Sequence, residues 1–385
     1  MWRIIIVLVI VTVFMVSTLR YLKYQWVQKS DLSETSRRRV KLALYLVWTL
    51  IFIGFPSRAI GVNNALMIAF FWVSYSAFGF YALALFATIA VDLLGRVNHA
   101  IPKATVDQSR RSFLSRSAAI PAASLAGVGS AYGTSQTRSP ELIEVEIPIK
   151  NLPAAFDGYR IVQISDLHVG LTIREPFVRA VADLCMAQSP DAIALTGDLL
   201  DGKVDELRPD MAPMSSLNAP DGVYYVTGNH EYYSGALPWV RYFEQIGWRC
   251  LMNEHHIIER DDAQLAMCGV TDRSAHQMIP EHRSDPQSAL TGLPQELSKI
   301  MLAHQPKSVH DLPQGHVDLV LSGHTHGGQF FPWSLLVKLA QPYLKGLYRH
   351  DERTAVYVNQ GTGYWGPPIR IQTVCEVTLI TLRSS

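Results

Sequence analysis

The sequence predicts an α/β sandwich, with packed sheets flanked by helices, preceded by about three membrane-spanning helices. Three observations support this division of the 385-residue chain. Residues 1–135 carry a net charge of +10 and three long uncharged runs, whereas the remainder carries −9 and twelve of the thirteen histidines. From Glu141 onwards, short apolar runs of strand length alternate with segments of helical period. We therefore predict a membrane region at 1–95, a cytoplasmic loop and linker at 96–140, and a globular domain at 141–385.

The front of the chain is predicted to cross a membrane. Its uncharged runs cover residues 4–19, 42–57 and 59–91, and a spanning helix needs about 20 mostly apolar residues. The first two runs are slightly short and must include flanking residues, while the third suffices for one tilted helix. Lys and Arg are concentrated between the first two runs, and such loops are cytoplasmic, so we expect the N-terminus outside and residue 96 inside. The alternative is a soluble domain of buried helices.

A pair of arginines follows the third run. Ser109-Arg110-Arg111-Ser112-Phe113-Leu114 resembles the twin-arginine export signal and precedes a mildly apolar segment of small residues, from Ala118 to about Tyr132. That route exports folded proteins, so the C-terminal domain is expected on the extracytoplasmic side. The alternative is a cytoplasmic loop followed by a flexible linker, and Pro121 argues against a stable fourth span.

The globular domain opens with an edge strand, because Glu144 to Ile149 alternate polar and apolar residues. An amphipathic helix is predicted between Gly170 and Pro190, where Phe177 and Leu184 belong to the apolar face, and a second from Trp239 to Ile246. Strands and helices in alternation are typical of α/β sheets that bind ligands at the carboxyl ends of their strands.

Five apolar runs of this domain end in residues typical of metal ligands. Each motif alone is weak evidence, whereas five in succession on the rim of one α/β fold indicate a metal centre. The residues concerned are Asp166 and His168 in Asp-x-His, Asp198 in Gly-Asp, Asn229 and His230 in Gly-Asn-His-Glu, His304, and His324 and His326 in Gly-His-Thr-His.

The order of these motifs resembles the calcineurin-like binuclear metallophosphoesterases over roughly residues 140–385. The closing segments, Tyr357 to Gly363 and Ile369 to Ile371, resemble the bacterial membrane-associated branch of that family. The resemblance implies a four-layer α/β/β/α sandwich and two divalent metal ions. It further implies one metal held by Asp166, His168 and His326, another held by Asn229, His304 and His324, and Asp198 as the bridge between them.

The implied chemistry is hydrolysis of a phosphoester. Mixed carboxylate, amide and imidazole ligands suit Mn, Fe or Zn, and two such ions lower the pKa of a bridging water. His230 cannot easily face the same metal as Asn229, so it is expected to protonate the leaving oxygen, oriented by Glu231 or Asp201. Arg370 is a candidate phosphate contact, with a surface salt bridge as the alternative.

These expectations favour a membrane-tethered phosphodiesterase acting on an envelope or lipid phosphodiester. One alternative is a hydrolase of a lipid-linked pyrophosphate, of UDP-diacylglucosamine type, at the cytoplasmic face; another is a metal-stabilised binding protein without turnover. A nucleic-acid partner is not expected for so acidic a domain, and the oligomeric state is left open. Leu335 to Ala340 is most simply a packing helix; with Lys338 and Lys345 nearby, the alternative is a membrane-facing flap.

Overall fold

The computed structural model describes most of the chain, namely residues 2–57, 64–100 and 119–385. The twin-arginine-like segment at Ser109 to Leu114 lies outside the described residues. The chain forms two compact units, which we call the N-terminal unit (residues 1–134 and 366–369) and the C-terminal unit (residues 135–365 and 370–385).

The N-terminal unit is helical in its described residues. Its helices are α1 (Trp2–Lys23), α2 (Glu34–Ser57), α3 (Ala65–Ala100) and α4 (Ala119–Ser135). A hydrogen bond and a salt bridge join α3 to the turn that follows α1. Trp26 Nε1 donates to Thr88 Oγ1 at 2.9 Å, and Lys29 Nζ lies 3.1 Å from Asp92 Oδ1.

One helix among the described residues is long and apolar enough to cross a membrane, the stretch Ala65–Val97 of α3. It coincides with the third predicted span. The runs at 4–19 and 42–57 lie in α1 and α2, but each is shorter than the roughly 20 residues that a span needs. Among the described residues the structure therefore offers one candidate span, and the prediction of three is not supported.

Helix α4 occupies the segment of small residues for which a flexible linker was one prediction. That alternative is wrong for residues 119–135, because the segment is helical and buries Ala122 and Ala126. Alanine has the highest helix propensity. Pro121 lies in the first turn, where its missing N–H would have no partner within the helix.

The C-terminal unit contains two six-stranded mixed sheets. In chain order the strands are β1 (Glu141–Ile149), β2 (Arg160–Ile164), β3 (Ala192–Leu195), β4 (Val223–Tyr225), β5 (Arg249–Cys250), β6 (Glu254–Arg260), β7 (Ala263–Gly269), β8 (Ser298–Leu302), β9 (Leu319–Ser322), β10 (Gly346–Arg349), β11 (Ala355–Val358) and β12 (Glu376–Ser384). The first sheet has the order β1-β12-β2-β3-β4-β5 and the second β10-β11-β9-β8-β7-β6. β1 is an edge strand, as its alternating sequence predicts.

Parallel pairing brings the predicted ligand motifs together. β2, β3 and β4 run parallel, with Ile161 opposite Ala192 and Ile193 opposite Val223. β8 and β9 are likewise parallel neighbours in the second sheet, with Leu302 opposite Leu321. Each of these strands therefore delivers its following loop to the same edge of its sheet.

The two sheets pack face to face through alternate side chains. The shared core contains Ile161 and Ala194 from the first sheet and Ile300 and Leu321 from the second, all fully buried. This period of two is that of a strand with one face on the core. The pattern buries a continuous apolar layer beneath the rim that carries the polar residues.

Helices cover the outer faces of both sheets. The α-helices of the C-terminal unit are α5 (Glu175–Met186), α6 (Val204–Met211), α7 (Asn229–Ser234), α8 (Ala236–Gln245), α9 (Pro286–Leu290) and α10 (Trp333–Ala340). On the first sheet, Tyr225 contacts Phe243 of α8 with ring centroids 4.7 Å apart. On the second, Ala289 of α9 packs with Met301 and Val320. The layers are thus helix, sheet, sheet and helix.

Two helices differ in detail from the sequence-based expectation. In α5 the buried residues are Val178, Val181, Ala182 and Cys185, so the buried face is rotated relative to the one predicted from Phe177. Helix α10 was expected most simply to pack on the core, but none of its residues is buried. That prediction is wrong because the large apolar side chains of α10 are exposed in the described structure and Val337 is only half-buried.

Candidate metal centre

The predicted ligands meet on the rim of the sandwich, in loops from both sheets. Six of the seven form groups in which all ligand atoms lie within 4.8 Å of one another. The groups are Asp166 with His168 and His326, His168 with Asp198 and His230, and Asp198 with His304 and His324. The seventh, Asn229, begins α7 beside His230, whose backbone N–H donates to Asp198 Oδ1 at 2.8 Å.

The first group converges on one point between the sheets. His168 Nε2 lies 3.0 Å from His326 Nε2, and His326 Nε2 lies 3.4 Å from Asp166 Oδ1. His168 and Asp166 are nearly or fully buried. Two imidazole nitrogens and a carboxylate oxygen so placed match the donor set that a divalent transition metal prefers.

The second group is built around Asp198 and His304. His304 Nδ1 lies 2.8 Å from the Thr196 carbonyl oxygen, which fixes the tautomer with the proton on Nδ1. The lone pair of Nε2 therefore points at Asp198 Oδ2, 3.1 Å away, and His324 Nδ1 lies 3.2 Å from the same nitrogen. Burial lowers the pKa of His304, but Asp198 raises it well above its usual value, so a divalent cation among these atoms would take the place of a proton.

Asp198 and Asn229 supply the remaining oxygen ligands that a site for two divalent ions requires. Asp198 Oδ2 contacts the second group and lies 4.0 Å from His168 Nε2 of the first, as a bridging carboxylate would. Asn229 Oδ1 is buried and has no hydrogen-bond partner among the described residues. Because a buried polar atom is normally paired, this orphaned oxygen is best explained as a metal ligand. The residues present thus fit two divalent ions.

Strained backbone conformations also occur at the predicted ligands. Five predicted ligands have positive φ angles, which non-glycine residues rarely adopt: Asp166 (52°), His168 (51°), Asp198 (53°), His324 (68°) and His326 (51°). Such conformations cost about 1–3 kcal/mol each and persist where the surroundings fix them. The surrounding structure therefore holds these residues in unfavourable backbone conformations that direct their side chains to the site.

Glycines permit the close approach of these loops. A Cβ on Gly323 would overlap the side chains of Ser165 and Asp166, and one on Gly228 would overlap Asp198. Glycine is therefore required sterically before Asp198, Asn229 and His324, where any side chain would overlap a neighbouring loop.

Glu231 supports the backbone of the site. It is fully buried, and its carboxylate accepts hydrogen bonds from the N–H groups of Asp198 (3.0 Å), Leu199 (2.7 Å) and Gly228 (2.7 Å). Glu231 and Asp201 were the two candidates to orient His230, and the structure assigns that contact to Asp201.

Asp201 is the residue that contacts His230. Its Oδ1 lies 2.5 Å from His230 Nδ1 and 3.2 Å from His168 Nδ1. The contact with His168 was missed by sequence reasoning, although Asp201 follows the Gly-Asp motif by only three residues. One carboxylate therefore orients both a predicted ligand and the predicted general acid, in the arrangement that fixes a histidine tautomer.

Charge pairing sets the protonation of this cluster. Burial raises the pKa of Asp201, but the imidazoles of His168 and His230 outweigh it and hold the pKa well below the usual range. Burial lowers the pKa of His230, whereas Asp198 and Asp201 raise it to about 9. Burial, His168 and Arg370 keep the pKa of His326 well below its usual value. A neutral imidazole is the form that binds a metal.

Arg370 lies beneath the metal loops and is fully buried. Its guanidinium donates to backbone carbonyls of Gln360 (2.8 Å), Gly361 (2.8 Å), Gly363 (Nε, 3.0 Å) and His326 (3.3 Å). The surface salt bridge considered from the sequence is excluded by this burial. The geometry is that of a residue that holds two loops together.

An aromatic pair flanks His230 at the mouth of the site. The rings of Tyr233 and Trp365 lie 5.3 and 6.1 Å from the imidazole, edge to face. Both are solvent-exposed, Tyr233 by 60% and Trp365 by 38%. Sequence reasoning did not single them out, because nothing in their local pattern distinguishes them from surface aromatics.

Comparisons with known proteins agree with this geometry. The family model described as calcineurin-like phosphoesterase matches residues 159–328. A Danio rerio protein named "Transmembrane protein with metallophosphoesterase domain" is 33% identical over 321 residues, which is 81% of this chain and 74% of that protein. An "Uncharacterized metallophosphoesterase" of Helicobacter pylori is 38% identical over 240 residues, 61% of this chain and 63% of that one. The Bacillus subtilis "Uncharacterized metallophosphoesterase YkuE" is 29% identical over 289 residues, 72% of this chain and 98% of that one.

Proposed function

Because the chain belongs to the calcineurin-like metallophosphoesterase family and is a phosphoester hydrolase, we propose that it is a membrane-tethered phosphodiesterase with a two-metal site. The observation that carries the two-metal proposal is the converging donor set, above all the buried Asn229 Oδ1 without a partner. When bound, two divalent ions would supply an activated hydroxide and offset the charge of the phosphate.

Each ion is assigned to one group of ligands. Asp166, His168 and His326 would hold the first ion, and Asn229, His304 and His324 would hold the second. Asp198 would contribute to both. The contacts of His304 with the Thr196 carbonyl and of His168 with Asp201 orient both rings. Mn, Fe and Zn are the metals that suit this mixture of oxygen and nitrogen donors.

His230 is proposed to donate the proton to the leaving oxygen. Its Nδ1 is occupied by Asp201, so Nε2 is the atom free to meet substrate. The ring is partly accessible, with 14% of its side chain exposed, while Asp198 and His304 lie deeper. A positioned imidazole contributes about 10²–10⁴-fold as a general acid.

Preference for a diester over a monoester is supported by the surroundings of His230. Tyr233 and Trp365 provide exposed aromatic surface beside the proton donor, where a second ester substituent could pack. We expect a higher kcat/KM for bis(4-nitrophenyl) phosphate than for 4-nitrophenyl phosphate. A reversed preference would make the enzyme a monoesterase and contradict this part of the proposal.

The site assignment is tested by two substitutions with matched controls. Asp198→Asn and His324→Ala should lose diester hydrolysis and bound metal together. Asp205→Asn and His310→Ala alter exposed residues of the same types and should keep both. Equal hydrolysis by the site variants and the controls would show that the site is assigned wrongly. Bound metal without hydrolysis of any phosphoester, by the parent itself, would instead support a binding protein.

Membrane tethering rests on the apolar helix in α3 and on the named transmembrane relative. We propose that α1 and α2, which lengthen the uncharged runs at 4–19 and 42–57 by flanking residues to 22 and 24 residues, add two spans, and that the C-terminal unit is exported. Protease treatment of intact spheroplasts should digest the C-terminal unit of the parent and spare it in Arg110→Lys/Arg111→Lys. Protection of both would place the domain in the cytoplasm and favour the lipid-linked pyrophosphate as substrate.

A further inference from the structure

Helix α10 presents a contiguous apolar surface to solvent immediately after the metal ligands. Its residues Trp333, Leu335, Leu336 and Leu339 are exposed by 42%, 52%, 51% and 85%. Phe331, just before the helix, is exposed by 57%. Exposed apolar patches of this kind mark sites that contact another apolar phase.

Charge distinguishes this segment from the rest of the C-terminal unit. Residues 330–350 contain no Asp or Glu and carry Lys338, Lys345 and Arg349, whereas the chain after residue 135 has a net charge of −9. Leucine and tryptophan together with lysine are typical of helices that lie in the interface of a bilayer with anionic lipids. The acidic C-terminal unit of a second copy would complement the basic residues but would leave the apolar ones to be matched by another apolar face.

The segment is attached firmly to the metal-binding loop. Thr325 Oγ1, between the two ligand histidines, donates to the Leu344 carbonyl, and Ser334 lies so close to Gly328 that a Cβ there would overlap it. The start of α10, and the chain four residues after its end, are therefore fixed relative to His324 and His326. Whatever α10 touches is held at a set distance from the metal centre.

We propose that α10 and the residues around it lie in the interface of an anionic bilayer, so that the metal centre faces phosphoesters at the membrane surface. A bilayer is the occupant that these observations favour, because α3 contains a helix long and apolar enough to cross a membrane and α10 forms a basic apolar patch on an acidic unit. This inference rests on the proposed function and narrows its substrate class to phosphoesters held at a lipid surface.

The test measures the depth of a spin label in the full-length protein. Leu339→Cys is labelled with a nitroxide in nanodiscs of phosphatidylcholine with phosphatidylglycerol; the native cysteines are all buried. Gln264→Cys, at an exposed position on β7, is the control. We expect the ratio of oxygen to nickel-chelate collision rates to be several-fold higher at Leu339 than at Gln264. Free access of the nickel chelate to Leu339, or protection there from both reagents as in a protein interface, would overturn the proposal.

A charge variant tests the anionic part of the proposal. Lys338→Glu in the labelled Leu339→Cys protein should lower the collision ratio in discs that contain phosphatidylglycerol. An unchanged ratio would overturn the role given to anionic lipid. Hydrolysis of bis(4-nitrophenyl) phosphate in detergent is measured on the same preparations: its absence in the parent would refute the proposed function, whereas a shallow label in an active enzyme would refute only the docking of α10.

Discussion

Replacing Arg370 with lysine should destabilise the C-terminal unit rather than weaken phosphate binding directly. The buried guanidinium reaches four backbone carbonyls in two loops. A lysine ammonium has three donors on one atom and can serve about two of these carbonyls. The loss of two charge-assisted bonds, at about 1.5–3 kcal/mol each, lowers the free energy of unfolding by about 3–6 kcal/mol.

The assay is thermal unfolding of the metal-loaded, full-length protein in detergent, followed by near-ultraviolet circular dichroism. At about 2–4 °C per kcal/mol for a unit of this size, the midpoint should fall by about 6–24 °C. Arg383→Lys is the matched control, because Arg383 is exposed and pairs with Glu146 at the surface; its midpoint should be unchanged. An unchanged midpoint for Arg370→Lys together with a raised KM would refute the reasoning and make Arg370 a phosphate contact.

Three further predictions concern the metal centre. Asp201→Asn should lower kcat for diester hydrolysis by about 10–100-fold, the usual effect of removing a partner behind a metal-bound histidine; an unaltered kcat would show that the contacts with His168 and His230 are not needed. Gly323→Ala should abolish metal binding measured by elemental analysis, since its Cβ would overlap a ligand carboxylate, while Gly127→Ala, whose Cβ would meet no atom within 4 Å, should retain metal. Removal of metal with EDTA should stop turnover and lower the unfolding midpoint, since saturation at about 100 times Kd contributes about 2.7 kcal/mol; unchanged stability would argue against buried ions.

The strands and the ligand loops could be predicted from sequence because their constraints are local. β2, β3, β4, β8 and β9 are short apolar runs, and each must end where a polar side chain is needed on the rim. The glycines beside Asp198 and Asn229 reflect steric limits at the same positions. Such patterns can be recognised in a single sequence, because period, strand length and residue type all indicate the same structure.

Contacts between distant segments could not be predicted in the same way. Arg370 donates to backbone carbonyl oxygens, and Glu231 accepts from backbone N–H groups. Every residue type has the carbonyl and every type except proline has the N–H, so no sequence pattern marks the partner. The exposure of α10 depends on what the fold leaves uncovered, whereas its apolar sequence is equally consistent with a packed helix. For the same reason, apolar runs of 16 residues in α1 and α2 do not by themselves define membrane spans.

The most direct test of the two-metal account is a titration of the metal-free protein with Mn²⁺, with bound metal and hydrolysis of bis(4-nitrophenyl) phosphate measured in the same samples. The account predicts that turnover appears only as the second ion binds and reaches its maximum at two ions per chain. Asp198→Asn, which lacks the bridging carboxylate, should not reach that state. Full turnover with one ion per chain, or with none, would contradict the account.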